Sequence, residues 1–238
     1  MRLHYAPGSA HCAAVRIALG EKGMEPELNR LDMVGYEQHS VSYLEINPHG
    51  TVPLLEHGGR KIFDSALILE YLEDWQPDPP LAGSDPRQRY SARKWGKYVE
   101  THIAPNLAIA RWAALHGKVP ISAEAGLDRL LPHRRTLWLQ AARGFDRDLL
   151  AASAQAMLTA GERIAADLAD RDWLCGDGFT FGDIAVYPHV AQFGALGLAL
   201  PRAVDDWLAR VAERPSLQAI KADLFPVATM GPEPGRWG

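Results

Sequence analysis

The sequence predicts a mixed α/β domain followed by an all-helical domain. Over residues 1–76, segments with strand and helix character alternate in the order β-α-β-α-β-β-α, which is typical of a mixed sheet with helices on its faces. The stretch Gln76–Pro80 then contains too many prolines to continue a helix. Beyond it, apolar residues recur at helical spacing without a convincing strand pattern. The chain has 238 residues, which is long enough to form two hydrophobic cores.

The elements of the first domain follow from apolar spacing and from turn residues. They are, in order, a strand over residues 2–6, a helix over 10–22, a strand over 27–32, a helical turn over 41–45, a hairpin over 52–63 and a helix over 65–75. Pro7 and Gly8 end the first strand, and Gly23 stops the first helix. The hairpin turn is His57-Gly58-Gly59.

The second domain contains helical patterns. The predicted helices cover residues 87–116, with a bend at Pro105, and residues 146–170, 182–198, 204–213 and 216–224. Thr180 and Asp183 have the spacing of a capping box, which stabilises a helix start and carries no chemistry. The predicted division is a first domain at 1–76, a linker at 77–84, a helical domain at 85–224 and an irregular tail at 225–238.

Composition and charge restrict the class of function. The chain is 47% hydrophobic and 23% charged, which is typical of a packed enzyme or binding protein. Its net charge is -4 and it has no long run of Lys or Arg, so we expect no nucleic-acid partner. No apolar stretch reaches the roughly 18 residues of a membrane span, and the start lacks a signal-peptide core, so we expect no membrane association and a cytoplasmic location. Cys12 and Cys175 lie too far apart for a zinc or redox pair.

Two predicted helix starts carry candidate ligand groups. Ser9 opens the first helix, where a serine is most often a cap but where its hydroxyl can also face a ligand. The positive end of the helix dipole favours a thiolate there. Cys12, one turn into the helix, is more simply interpreted as a small buried residue, so the thiol would come from a ligand. Asp64 and Ser65 open a later helix, where free backbone amides can bind a carboxylate, although a serine there is also most often a cap.

The dipeptide Val52-Pro53 lies at the start of a predicted strand, where proline cannot donate to the ladder. A trans bond is the ordinary case, but a cis bond would leave the Val52 N–H and C=O free to pair with a short extended peptide. Together, the groups at residues 9, 52 and 65 predict one ligand that is peptide-sized, anionic and thiol-bearing.

Four groups of residues then form a pattern along the whole chain: Pro7-Gly8-Ser9, Ile46–Leu54, Asp64-Ser65 with Ile68–Leu72, and Leu174-Cys175-Gly176 through Phe179-Thr180 to Asp183. In this pattern the sequence resembles the cytosolic glutathione S-transferase family. The resemblance implies an N-terminal thioredoxin-like domain that binds glutathione as co-substrate, and a C-terminal helical-bundle domain that supplies a second substrate pocket. It implies no metal.

The resemblance also implies roles for individual residues. Ser9 would be the catalytic residue and would donate a hydrogen bond to the glutathione thiolate. Val52 would pair with the cysteinyl backbone before a cis Pro53. Asp64 and Ser65 would hold the γ-glutamyl end of glutathione.

Other positions match less closely or depart from the family. Gln38 falls where relatives place a side chain on the glycyl carboxylate. Ala10 replaces the cysteine of beta-type bacterial members, which excludes a mixed disulfide with glutathione at this position. Asp64 replaces the glutamate of most relatives. Zeta-type members, which isomerise maleylacetoacetate, have Ser-Ser-Cys where this chain has Ser9-Ala10-His11, and this weakens an isomerase assignment.

A narrower similarity rests on Glu37–Ser40, Glu70–Asp74, Asp85-Pro86 with Arg89, Trp95 with Lys97 and Val99, Trp138, Ala142–Phe145 and Leu149. In these residues the chain looks like the bacterial β-aryl etherases, which cleave the ether bond of lignin-derived aromatics. That similarity implies that the glutathione thiolate attacks the carbon bearing the aryl ether, which an adjacent ketone activates, and that a phenolate leaves. No metal, flavin or nucleotide takes part in this step.

The family also suggests where the second substrate and a second subunit lie. The first long helix of the helical domain would wall the pocket of a hydrophobic aromatic substrate, with Asn106, Ile109 and Trp112 on a mostly apolar stripe that is otherwise typical of core. Cytosolic relatives form dimers, so we expect a homodimer or a heterodimer with a paralogue. Glu100 is a candidate to reach the neighbour's γ-glutamyl amine, although its simpler interpretation is a solvated helix charge.

Three other functions remain open from the sequence. The same site could catalyse another glutathione transfer or maleylacetoacetate isomerisation. The chain could be a non-catalytic glutathione-fold binding protein, because a fold does not fix a function. A thioredoxin-type redox protein would need Cys-x-x-Cys on the first helix, and Ser9 with Cys12 supplies only its last member.

Overall fold

The computed structural model describes residues 1–115 and 126–224, and it confirms a thioredoxin-like domain followed by a helical domain. The elements of the first domain are β1 (Arg2–Tyr5), α1 (Ala10–Glu21), β2 (Glu27–Arg30), a 3-10 turn (Glu37–His39), α2 (Val41–Ile46), β3 (Leu54–His57), β4 (Arg60–Phe63) and α3 (Ser65–Trp75). Their predicted order is confirmed. The hairpin begins at Leu54 and not at the predicted Val52, since Pro53 lacks the N–H that strand pairing uses.

The sheet brings three predicted site segments to one edge. Its strand order is β2-β1-β3-β4, with β1 parallel to β2 and antiparallel to β3, and with β3 antiparallel to β4. Because β1 and β4 run in the same direction, α1 and α3 both begin at the edge where those strands end. The start of the antiparallel β3 lies at the same edge. Ser9, Val52 and Ser65 therefore converge, although they are far apart in sequence.

A hydrophobic core fixes this arrangement. Leu3 of β1 and Leu55 of β3 are neighbours in register, and both are fully buried. Ile17 of α1 and Leu72 of α3 are also fully buried, and the two helices pack against each other. Fully burying one such side chain contributes about 1.5–3 kcal/mol, so the helix starts are carried on a rigid support.

The second domain consists of α4 (Pro86–Tyr98), a π-helical turn (Val99–Ile103), α5 (Ala104–Leu115), a 3-10 turn (Leu127–Arg129), α6 (Pro132–Arg143), α7 (Arg147–Asp167), α8 (Phe181–Val190), a 3-10 turn (Gly194–Leu196), α9 (Arg202–Ala212) and α10 (Pro215–Leu224). Among the residues that the structure describes, no extended strand lies in this domain.

Two helix predictions need correction, and one helix was missed. A bend was predicted at Pro105, whereas the structure has a π-helical turn that ends just before this proline. The proline ring lacks an N–H and crowds the carbonyl of Thr101, four residues earlier. The predicted helix 182–198 ends at Val190 and resumes as a separate 3-10 turn that starts at Gly194. The helix α6 was not predicted. His116 and the predicted tail 225–238 lie outside the described residues, and the domain boundaries stay a prediction.

The predicted capping box at the start of α8 is confirmed. Asp183 is fully buried, and its Oδ1 accepts hydrogen bonds from the Leu174 N–H and the Trp207 indole N–H, each at 3.0 Å. Its Oδ2 accepts the Thr180 N–H at 3.0 Å. One carboxylate thus joins a loop, α8 and α9, which is a structural role.

The two domains pack closely at α1, which contacts α8 and α10. Lys22, at the end of α1, is buried and forms an ion pair with Glu73 at 2.7 Å. Its Nζ also donates to the carbonyls of Gln76 and Pro79, at 2.6 and 2.9 Å, which fixes the linker. Of the described helices, none combines the length and the apolar character that crossing a membrane requires.

Candidate active site

Ser9 is the N-cap of α1, as its position in the sequence predicts. Its side-chain oxygen accepts the Cys12 N–H at 3.3 Å. Because the oxygen acts there as an acceptor, the hydroxyl hydrogen is available to donate to a second group. The first turn of α1 contains no acidic residue, so the partial positive charge of the helix start is not offset within the helix. The position suits an anion that accepts a hydrogen bond.

The loop before Ser9 is held by the helical domain. The Gly8 N–H donates to the Asp223 carbonyl of α10 at 2.7 Å, and Arg111 of α5 donates from Nη1 to the Gly8 carbonyl at 2.9 Å. Gly8 has a φ of +75°, which favours glycine. Burial lowers the pKa of Arg111, and within the described residues this guanidinium has no ion-pair partner. Arg111 therefore brings positive charge to the loop.

The loop before β3 is shaped by a buried asparagine. The Asn47 amide donates to the Thr51 carbonyl at 2.7 Å, and so does the Tyr43 hydroxyl at 2.7 Å. Gly50 has a φ of +59°, and a Cβ there would lie 3.2 Å from the Gln38 carbonyl oxygen, so a larger residue would be strained. The Val52–Pro53 bond is cis, as the family resemblance implies. In the described part of the chain, the Val52 N–H and C=O form no backbone hydrogen bond.

Asp64 and Ser65 form the start of α3. Asp64 has a φ of +69° and caps the helix, with its carboxylate accepting the Ala66 N–H at 2.8 Å. The carboxylate is therefore already engaged with its own helix. The Ser65 hydroxyl oxygen lies 3.0 Å from Nδ1 of His11. Since His11 is two residues from Ser9, this hydrogen bond joins the start of α1 to the start of α3.

His11 also packs against a second histidine. The rings of His11 and His189 are edge-to-face, with centroids 4.7 Å apart. His189 of α8 is buried, and its Nδ1 lies 2.9 Å from the Ala185 carbonyl oxygen, so Nδ1 carries the hydrogen. Its Nε2 is buried and has no hydrogen-bond partner among the residues that the structure describes. Removal from water lowers the pKa of both histidines, which favours neutral rings.

Neither cysteine supplies a reactive thiolate. Cys12 is buried, as predicted, and burial raises the pKa of its thiol to about 11. Burial also raises the pKa of the Cys175 thiol to about 12. Within the described ranges, no cluster of His, Cys, Asp and Glu is arranged to hold a metal ion. A thiolate that reacts beside Ser9 must therefore come from a bound molecule.

Beside Ser65, residues of α1, α3, α4 and α8 line a cleft of about 240 Å³. Glu100, proposed from the sequence to reach a neighbouring subunit, lines this cleft of its own chain and forms an ion pair with Lys97 at 3.1 Å. Gln38 is fully buried, and neither its side-chain oxygen nor its side-chain nitrogen has a hydrogen-bond partner within residues 1–115 and 126–224. An unpaired buried amide costs roughly 1–3 kcal/mol, so Gln38 has unused capacity to bind a ligand that reaches it.

The three predicted pocket residues of α5 differ in their surroundings. Asn106 donates its side-chain amide to the His102 carbonyl at 2.6 Å. Ile109 is half-buried. Trp112 is half-buried and belongs to an aromatic cluster, with ring centroids 5.3 Å from Trp138 of α6 and 6.4 Å from Phe145. Only Trp112 thus contributes an aromatic surface that could stack on a ring.

Sequence reasoning missed the contributions of Arg111, His11 and His189. Each acts through a contact between distant segments, and no local pattern signals such a contact. Trp138 and Phe145 could be found only through the narrower family similarity, since α6 has no strong helical pattern of its own.

Two models of one protein family match the chain. The N-terminal domain model of glutathione S-transferase matches residues 3–80, and the C-terminal domain model matches residues 146–219. Glutathione S-transferase Z2 of Arabidopsis thaliana is 34% identical over 169 residues, which cover 69% of this chain and 71% of that protein.

Two bacterial proteins are similar over nearly the whole length. Protein LigF of Sphingobium sp. is 27% identical over 237 residues, which cover 90% of each chain. The crystal structure of beta-etherase LigF superposes with a TM-score of 0.84 and covers 92% of this chain and 98% of that one. FtsZ-localized protein A of Caulobacter vibrioides is 27% identical over 94% of this chain and 92% of its own. The two domain models, which together match more than half of the chain, and the similarity to glutathione S-transferase Z2 show that this chain belongs to the glutathione S-transferase family.

Proposed function

We propose that the protein is a glutathione-dependent transferase that cleaves β-aryl ether bonds of lignin-derived aromatics. The observation that carries this proposal is the Ser9 hydroxyl, which caps α1 with its oxygen and keeps its hydrogen available for a thiolate. The chain's own thiols are buried and protonated, so the site is suited to the thiol of a bound peptide. The helix start and Arg111 add positive charge that favours the thiolate form.

The same edge of the sheet offers contacts along an extended tripeptide. The Val52 N–H and C=O can pair with the cysteinyl backbone as an added strand. Asp64 already accepts the Ala66 and Leu67 N–H groups, so at the start of α3 it is Ser65 that can bind the γ-glutamyl carboxylate, through its hydroxyl and its backbone N–H. The unpaired amide of Gln38 can bind the glycyl carboxylate. Asp64 supports this site as a helix cap, which keeps the α3 start in place.

The reaction is a displacement at carbon. The thiolate sulfur forms a bond to the carbon that bears the aryl ether, the carbon–oxygen bond breaks, and the phenolate leaves with the bonding electrons and takes a proton from water. No oxidant or reductant takes part. Ser9 holds the thiolate in line for attack, and Trp112 supplies an aromatic surface against which the substrate ring stacks.

The similarity to LigF over 90% of the chain supports ether cleavage over other transfers. An aromatic β-ether ketone should be incubated with the protein and glutathione, separately for each enantiomer. We expect release of one phenol for each glutathione consumed, with a preference for one enantiomer. Absence of phenol release from both enantiomers, together with turnover of maleylacetoacetate or of a halogenated aromatic, would contradict ether cleavage and leave another transferase activity.

A non-catalytic binding role is the second candidate, and the similarity to FtsZ-localized protein A supports it. Glutathione turnover discriminates between the two functions. If no electrophile is turned over while glutathione still binds, the binding role is favoured. The cytoplasmic location expected from the sequence stays a prediction.

We further propose a dimer, formed by two copies of this chain or with a paralogue. Leu67, Trp75 and Tyr90 lie on helices α3 and α4 and expose more than half of their surface, which leaves apolar area that a second subunit would cover. Glu100 lines the cleft between these helices and could also meet a neighbouring subunit there. Sedimentation should show dimers at micromolar concentration. Monomers under those conditions would contradict the pairing.

A further inference from the structure

The hydrogen bond between His11 and Ser65 can have two opposite directions. A ring nitrogen and a hydroxyl oxygen 3.0 Å apart share one hydrogen. If the Ser65 hydroxyl donates to Nδ1, its hydrogen is used within the protein, and only oxygen lone pairs face a ligand. If Nδ1–H donates to the Ser65 oxygen, the hydroxyl hydrogen is free to donate to a carboxylate. Only the second direction makes Ser65 a donor to an anion.

The surroundings of His11 hold its ring without fixing that direction. His189 packs edge-to-face on it, and the His189 Nδ1–H is already bound to the Ala185 carbonyl. The charged groups that act on the pair are Asp64 and Glu100, which raise the pKa of His11, and Arg111, which lowers that of His189. At His11, desolvation outweighs the two carboxylates and lowers the pKa, so the ring is neutral and can adopt either tautomer.

We infer that His11 is a positioning residue that sets Ser65 as a hydrogen-bond donor, by adopting the Nδ1–H tautomer when a carboxylate binds at the start of α3. The bound carboxylate favours this tautomer because it needs a donor from Ser65. His11 Nδ1–H then donates to the Ser65 oxygen and the Ser65 hydroxyl donates to the carboxylate, so both hydrogen bonds point toward the negative charge. His11 thereby favours ligands with an anionic group at this position. The inference rests on the proposed function, in which that group is the γ-glutamyl carboxylate of glutathione.

The test compares two variants of His11. His11→Phe keeps an aromatic ring against His189 and removes the N–H, whereas His11→Asn keeps a side-chain amide that can place an N–H near the position of Nδ1. His11→Phe removes a hydrogen bond that orients a donor toward a charge, so we expect its affinity for glutathione, measured by calorimetry, to be roughly 10-fold weaker. We expect His11→Asn to recover most of that loss, and the kinetic effect to fall on KM for glutathione and not on kcat.

A double-mutant cycle with Ser65→Ala tests whether His11 acts through Ser65. We expect His11→Phe to have little further effect on glutathione affinity once the hydroxyl is absent. Equal effects of His11→Phe in both backgrounds would overturn the inference, and so would an unchanged affinity in the single variant.

A measurement on the unmodified protein covers the case in which His11→Phe does not fold. Nuclear magnetic resonance of isotope-labelled histidine reports the tautomer of His11, and we expect the Nδ1–H form in the presence of saturating glutathione. A neutral ring protonated only at Nε2 under saturation would overturn the inference. Failure of the unmodified protein to bind glutathione is a different result, because it would contradict the proposed function itself.

Discussion

Replacing Ser9 with alanine removes two hydrogen bonds that differ in kind. The oxygen no longer accepts the Cys12 N–H, and loss of an N-cap costs roughly 1 kcal/mol of stability. The hydroxyl hydrogen no longer reaches the thiolate, and a hydrogen bond to a charged group is worth about 1.5–3 kcal/mol. Because one pKa unit corresponds to about 1.4 kcal/mol, loss of this bond raises the pKa of the bound thiol by about one to two units. Below that pKa the reactive thiolate fraction falls accordingly, and we expect Ser9→Ala to lower glutathione-dependent turnover by about 10- to 100-fold.

The assay is steady-state turnover of an aromatic β-ether ketone at saturating glutathione, together with denaturant unfolding. Asp85→Ala is the matched control, because Asp85 caps α4 by accepting the Arg87 N–H at 2.6 Å. We expect this control to lose stability without a comparable loss of turnover. Equal turnover by Ser9→Ala and the unmodified protein would refute the role of the Ser9 hydroxyl. Equal losses in Ser9→Ala and Asp85→Ala would reduce that role to helix capping.

Three further predictions follow from the pocket and the buried groups. Trp112→Ala should raise KM for the aromatic ether in steady-state assays, because the substrate ring loses the aromatic surface on which it stacks, and it should leave KM for glutathione nearly unchanged. Equal increases in both constants would identify Trp112 as a core residue. The folded state keeps His189 neutral, whereas the unfolded chain binds a proton near the ordinary pKa of 6.5. The contribution of His189 to the free energy of unfolding is therefore complete above that pH. As the pH decreases below it, the free energy of unfolding should decrease by at most about 1.4 kcal/mol per pH unit. In denaturant titrations, His189→Phe should make this dependence on pH flatter. Asp183→Ala leaves the Leu174, Thr180 and Trp207 donors unpaired, so we expect the free energy of unfolding to decrease by at least about 3 kcal/mol. The molecules that remain folded should keep the glutathione-dependent turnover of the unmodified protein.

The order of the strands and helices in the first domain was predictable because local turn residues mark where these elements end. Pro7 and Gly8 follow β1, and the His57-Gly58-Gly59 turn separates the strands of the hairpin. The helix α6 has a proline at its start and Gly144 at its end, but only Ala141 of its residues is buried and no side chain caps its start, so it lacks the regular apolar spacing that predicts a helix. The π-helical turn at Val99–Ile103 has no pattern of its own, although Pro105 one turn later indicated an irregularity nearby.

The residues of the candidate site also fall into those that local patterns predict and those that they do not. Ser9, Asp64 and Ser65 could be placed because helix caps have recognisable residue types, and two of them cap helices in the structure. Val52 was placed by the proline that follows it at a strand start, whereas Gln38 was named only through the family resemblance. The contact of His11 with Ser65 joins residues 54 positions apart, and Arg111 meets Gly8 across 103 positions. Such contacts depend on how the two domains pack, which spacing in the sequence does not specify.

The central claim is that the protein binds glutathione with its thiol ionised beside Ser9. The most direct measurement is an ultraviolet difference titration of thiolate absorbance in the complex with glutathione, across pH. We predict that the bound thiol ionises at a lower pH than free glutathione, and that Ser9→Ala moves its pKa back toward the free value. A bound thiol that ionises at the same pH as free glutathione would contradict the claim.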